Sequence, residues 1–313
     1  MQQDGVVVVI GSIHEDRFSY VDRLPAPGET VLAGSSARGV GGKGANQAIA
    51  AARLGAGVMM VARVGDDEAG LAATAELAAR SVVVDAVGRV PDEATGYAAI
   101  TVDAAGENTI VVHSGANRAL GPDAAGRAVR GLAADRPAVV VCQCEIPPAT
   151  VAAVAAATGD PHRFLLNLAP AVPVDPATLR RADPLVVNLV EAAQLAGRLG
   201  VVAGDDPRDL LAALRRYAPA VVITLGAGGA LVGSGTGIEH VPATPPSEVV
   251  DTTGAGDAFV GAVAARLAAG ATLPDAVRAG CLAGSVAVSR RGTTSSYPDA
   301  SDLDALAAAG DRG

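Results

Sequence analysis

Tryptophan is missing from this 313-residue chain, and three Phe and four Tyr are its only aromatic residues. A surface that stacks nucleic-acid bases on rings is therefore not expected. The core must be built mostly from Ala, Val and Leu, because half of all residues are apolar. Positive charge is scarce too: 24 Lys and Arg stand against 33 Asp and Glu, a net of -9, with no basic run. Such a chain has no means of neutralising a phosphate backbone, so nucleic acid is not an expected partner. A smaller phosphate ligand would have to be met locally, by backbone N–H groups, one or two basic side chains and a divalent cation.

Cysteine is sparse. Cys142, Cys144 and Cys281 lack metal-ligand spacing, Cys142 and Cys144 are expected to share one strand face, and a reduced, cytoplasmic protein is the simplest reading. Long hydrophobic runs are also lacking. Met1 to Gly5 precedes a five-residue apolar run without a basic region, so neither a signal peptide nor a membrane span is expected. Several catalytic patterns are absent as well: no Ser in a Gly-x-Ser-x-Gly context, no zincin His after His14-Glu15, no Cys-x-x-Cys, and Gly44 rather than Ser or Thr after Lys43. No dinucleotide fingerprint is read in the chain, so nicotinamide and flavin are not expected.

What is present is a rhythm. Short apolar runs at 6–10, 58–64, 138–145, 163–168, 185–188 and 220–225 alternate with Ala- and Leu-rich stretches of helical period. Continuously apolar strands between helices predict a doubly wound, mainly parallel α/β sheet covered on both faces, in one domain over 1–313. Two segments, about 16–40 and 96–114, break the rhythm; if they pair, they form a small antiparallel β lid. A further strand-rich patch spans 230–250, and the Ala-rich stretch from Leu303 to Ala309 predicts a closing helix.

Chemistry concentrates in two Gly-rich runs. Asp251-Thr252-Thr253-Gly254-Ala255-Gly256-Asp257 leads into a helical stretch and reads either as an anion hole holding a general base or as a Gly-rich turn with an Asp cap. Gly41-Gly42-Lys43-Gly44-Ala45-Asn46 also opens a helix; one cation, one amide and a close backbone suit a polyhydroxylated ligand, and a tight turn with a solvated Lys is the alternative. His14 and Asp16 are expected just past the C-terminal end of the first strand, the edge where open α/β sheets bind ligands. Glu145 ends another strand. Asn188 and Glu191, one helical turn apart, could hold a hydrated Mg²⁺ beside a nucleotide phosphate, or simply cap a helix. The run Thr224 to Gly229 offers backbone donors or a plain hairpin turn.

Together these residues resemble the ribokinase (PfkB) family of carbohydrate and nucleoside kinases over nearly the full chain. The family's two signatures look like Gly41 to Ala48 and Asp251 to Asp257. Further similar segments are Gly11-Ser12 with Asp16, Pro27 to Thr30, Gly106 to Asn108, Gly115 to Asn117 and Gln143-x-Glu145. The resemblance implies ATP-dependent phosphorylation of D-ribose at O5, or of another pentose, a ketohexose or a nucleoside. It implies Asp257 as the base and Gly254, Ala255 and Gly256 as the anion hole. His14, Asp16, Gly42, Lys43, Gly44, Asn46 and Glu145 would hold the sugar, and Asn188, Thr224, Gly226, Gly229 and Gly256 would line the ATP site. Glu191 would organise Mg²⁺. A K⁺ cage would come from Asp251, Thr253, Ala287, Arg290, Gly292 and Ser296, mostly through carbonyls. Similar proteins also pair as homodimers through their lids. One departure stands out: family members typically carry Asn where this chain has His14, which bears on the sugar rather than on the phosphoryl chemistry.

Overall fold

The computed structural model describes residues 5–303 apart from 205, 236 and 247. In chain order the strands are β1 (Val6–Ile10), β2 (His14–Tyr20), β3 (Ser35–Gly41), β4 (Gly57–Gly65), β5 (Val82–Val90), β6 (Gly96–Val102), β7 (Asn108–His113), β8 (Ala138–Cys142), β9 (Arg163–Asn167), β10 (Leu185–Asn188), β11 (Val221–Thr224), β12 (Ala230–Ser234) and β13 (Gly237–Val241). The α-helices are α1 (Lys43–Arg53), α2 (Glu68–Ala79), α3 (Pro122–Arg130), α4 (Pro148–Ala157), α5 (Pro176–Arg181), α6 (Leu189–Arg198), α7 (Pro207–Leu214), α8 (Ala255–Ala268) and α9 (Leu273–Val288).

Val7 and Val9 of β1 enter one apolar cluster and Val8 and Ile10 a second, on the opposite face. That is why the strand reads as an unbroken Val/Ile run: each face is covered by helices. The nine-stranded main sheet runs β13-β12-β11-β10-β9-β8-β1-β4-β5. It is parallel from β11 to β5 and ends in the antiparallel β11–β12–β13 meander. Among the described residues Phe164, Phe259 and Tyr297 are the buried Phe and Tyr side chains, so packing relies on close backbone approach. Gly261 shows this best: a Cβ there would lie 2.5 Å from Ala50 Cβ and 2.8 Å from the Gln47 carbonyl. Its absence lets α8 lie directly on α1 one turn after Asp257.

The second sheet is the lid, in the order β3-β2-β6-β7. Its β2–β3 and β6–β7 pairs are antiparallel, but β2 and β6 at its centre are parallel. Both are outgoing strands, and their returning partners lie at the two edges. Buried Asn117 fastens the base: its Oδ1 accepts from Ile13 N, and its Nδ2 donates to the Ile13 and Ser114 carbonyls, all at 2.9 Å.

β5, absent from the apolar runs because Asp85 and Arg89 interrupt it, joins the main sheet as a partly exposed edge strand. β8 ends at Cys142, so Cys144 lies beyond the strand rather than on a shared face; all three thiols are free and buried. The expected closing helix is helical and buried at Leu303, and its remainder lies outside the described residues.

Candidate active site

α1 and α8 both begin at a left-handed glycine, Gly42 with φ 86° and Gly254 with φ 75°, and neither has a side-chain cap. An L side chain would be strained at both positions. Space is closed as well: a Cβ on Gly254 would stand 2.6 Å from Thr293 Cγ2 and 2.7 Å from the Tyr297 hydroxyl. Gly44 seats α1 against the end of β1, where a Cβ would meet Ser12 N and O at 2.6 Å. Gly256, by contrast, faces open space.

Asp257, in the first turn of α8, is 6% exposed. Its Oδ2 accepts from Asn46 Nδ2 at 3.0 Å and its Oδ1 from Gln47 Nε2 at 2.9 Å. Burial pushes its pKa up, with Lys43 and the two amides opposing. Lys43 in turn is raised, chiefly by Asp257. The Asn46 side-chain oxygen is buried without a partner in the same place, free to accept from a ligand hydroxyl.

Glu145 lies near this point, at the start of α1. Its Oε2 accepts from Ser12 Oγ at 2.6 Å and from Lys43 N at 2.9 Å, and it lies 3.9 Å from His14 Nδ1. His14 and Asp16 are not in a loop past β1, as their position after the first apolar run suggested. The chain turns at 11–13 and both belong to lid strand β2, where His14 pairs with Gly41 and Gly96. Two residues apart in a strand, they share one face. The imidazole fits because Gly96 makes room: a Cβ there would touch His14 Cδ2 at 2.5 Å. Burial lowers the His14 pKa, partly countered by Glu145, and its Nε2 has no partner. Asp16 packs on Gly41 and is pushed up to about 7, first by burial and then by Glu145 and Asp257.

On the other side of Asp257 is a cavity of about 140 Å³ lined by Lys43, Asn188, Glu191, Thr224, Gly254, Gly256 and Asp257 among others. Expected nucleotide-site and anion-hole residues thus meet here. Gly226 and Gly229 are not in its lining; they close the β11–β12 hairpin, with Leu225 N donating to Gly229 O at 2.7 Å. Asn188 and Glu191 form a capping box, Glu191 N to Asn188 Oδ1 and Asn188 N to Glu191 Oε2, both 2.8 Å. Helix capping therefore uses part of the pair, leaving the Asn188 amide nitrogen and one Glu191 oxygen for a ligand. That donor set suits contact with a cation through water better than a direct cage.

Behind Gly254, Asp251 accepts from Thr253 N at 2.9 Å and from Gly292 N at 3.0 Å, while Val288 O accepts from Val250 N and Asp251 N. These bonds bring the loop after α9 against the loop before α8. Arg290 turns its guanidinium to Asp302, and Ser296 Oγ donates to Thr293 O. Among the described residues no group of three or more His, Cys, Asp or Glu is disposed to hold a metal.

Sequence reasoning missed Gln47, which donates to Asp257, and Asn167, which accepts from Gln47. It also overlooked that Gly39-Val40-Gly41-Gly42-Lys43-Gly44 spells Gly-x-Gly-x-x-Gly. The spelling is coincidental: its first three residues lie in antiparallel lid strand β3, not at the end of a parallel strand.

The pfkB family carbohydrate kinase profile matches residues 5–300. The chain belongs to the pfkB family of carbohydrate kinases. It is 37% identical to the ribokinase of Mus musculus, over 96% of this chain and 94% of that one. Its fold is similar to a Thermotoga maritima ribokinase structure, TM-score 0.89 at 28% identity, covering 97% of this chain and 99% of the other. It is also similar to Arabidopsis thaliana ribokinase complexed with ribose and ATP, TM-score 0.84 at 29% identity, covering 96% and 98%. Asp257 thus sits between the buried polar side chains of Asn46 and Gln47 and the uncapped start of α8.

Proposed function

We propose that this kinase phosphorylates D-ribose at O5 with ATP, as one domain carrying a lid. The observation that carries the reading is Asp257, buried at the meeting point of two helix starts and held by amides on both oxygens. Asp16, Lys43, Asn46 and Glu145 orient the sugar so that its hydroxyl faces Asp257, which takes the proton as the oxygen attacks. The free amides at the start of α8 receive the transferring phosphoryl group. Lys43 offsets the charge of three crowded carboxylates. Mg²⁺, held through Glu191, and K⁺, held by carbonyls around Asp251, would neutralise phosphate charge and stiffen the anion loop when bound.

A coupled ADP-release assay over ribose, 2-deoxyribose, other pentoses, ketohexoses and nucleosides tests the substrate. Ribose should give the highest kcat/KM; turnover of a nucleoside with none of ribose would remove the assignment. Rates in K⁺ should exceed those in Na⁺, and equal rates in cation-exchanged buffers would remove the cage.

The protein is further proposed to work in the cytoplasm as a homodimer through the lid. All six residues of β7 are exposed, Val111 by 68%, on an edge strand that a second copy could cover. A monomer by light scattering at micromolar concentration would overturn that part.

A further inference from the structure

Asp257 owes its orientation to a chain of buried amides that runs in one direction only. It begins at backbone: Asn167 Nδ2 donates to the Val186 carbonyl of β10 at 3.2 Å, which turns Asn167 Oδ1 toward α1. Gln47 must then present its NH₂ group, which donates to Asn167 Oδ1 at 2.9 Å and to Asp257 Oδ1 at 2.9 Å. Both amide protons are used. Its own oxygen faces the other way and accepts from Gln143 Nε2 at 2.7 Å. A flipped Gln47 would set its oxygen against a carboxylate and a second amide oxygen, so Gln47 has a single satisfied sense, while the far oxygen of Gln143 is buried without a partner. Gln47, Gln143 and Asn167 are at most 7% exposed and come from α1, the residue after β8 and the end of β9, respectively.

We propose that Gln47 is a positioning residue for the general base, and that Gln143 and Asn167 are the clamp fixing which way its amide points. Asn46 and Gln47, adjacent in sequence, hold one oxygen each, so the carboxylate cannot rotate about its last bond. With both oxygens held, the plane of the carboxylate is fixed for a hydroxyl arriving from the side of Glu145 and Asp16. This inference rests on the reading of Asp257 as the base.

Gln47→Met keeps the volume of the side chain and removes the amide. The expected result is a kcat lower by about 10- to 100-fold, with KM for ribose and ATP within about threefold. The acid limb of the kcat profile should also move to higher pH, because a donor favouring the charged carboxylate is gone. The other groups facing Asp257 stay in place: Lys43, Glu145, Glu191, Asp16 and the Tyr297 hydroxyl. Gln143→Leu, which frees the Gln47 amide to turn, should lower kcat by about 3- to 10-fold. A kcat within twofold of the parent in Gln47→Met, or a loss confined to KM, overturns the proposal. Should Gln47→Met not fold, Gln143→Leu decides in the same way. Asp257→Asn separates the two layers: a dead Asp257→Asn beside an unaffected Gln47→Met rejects only the positioning role, whereas an active Asp257→Asn rejects the base itself.

Discussion

The two helix starts that meet at Asp257 look alike in sequence and differ in what satisfies them. At α1 the protein supplies its own acceptors: Lys43 N bonds Glu145, Gly44 N bonds Ser12 Oγ at 3.3 Å, and Ala45 N bonds the Ser12 carbonyl at 2.9 Å. An internal carboxylate already occupies that terminus. At α8 there is no side-chain cap, and among the described residues no acceptor takes the Gly256 or Asp257 amides. Orphan amides at a helix start are an anion site, whereas filled ones are not. The difference supports the proposed division, with the phosphoryl group at α8 and the sugar positioned from α1.

The sharpest way to break this contrast is to damage α8 alone. Asp257→Asn should lower kcat by at least about 10²-fold while ribose binding, read by calorimetry, stays largely intact. Gly254→Ala should lose comparable turnover, because the left-handed turn and the contact with Thr293 and Tyr297 both refuse a Cβ. Near-parental turnover in either variant would mean that the open helix start is not the phosphoryl site.

The complementary change damages α1. Glu145→Ala removes the carboxylate that caps Lys43 N and faces the sugar pocket, and should raise KM for ribose by about tenfold with a smaller change in KM for ATP. Equal losses for both substrates would merge the two halves into one site and dissolve the comparison.

Residues visible from sequence were those whose local pattern equals their role. Val6 to Ile10 is apolar throughout because both faces are covered, and the glycines at 42 and 254 stand where left-handed turns are needed. What stayed hidden depends on contacts between distant segments. Gln47 reads as one more polar residue in a helix until α1 is seen lying on α8 through Gly261. His14 follows an apolar strand, so only its pairing with Gly41 and Gly96 places it in the lid. Asn188 and Glu191 carried both readings in their spacing, and the structure shows the cap directly.

The smallest expected effect concerns charge under the lid. Asp16 and Asp257 are both buried carboxylates, but among the described residues no amide donor bonds Asp16 as Asn46 and Gln47 bond Asp257. Its folded-state pKa of about 7 lies above the ordinary 3.8, so between those values the folded protein binds a proton that the unfolded chain has lost. Stability from this group is therefore present at low pH and declines as pH rises toward 7. Sugar hydroxyls donate to the carboxylate form, so ribose should bind better as that proton leaves: KM should fall by up to about tenfold between pH 6 and pH 8. Asp16→Asn should flatten both dependences, in KM and in the thermal midpoint of the ligand-free protein. A parental KM that does not change over that range would show that Asp16 is already ionised when sugar arrives, and the two carboxylates would then differ in position but not in charge.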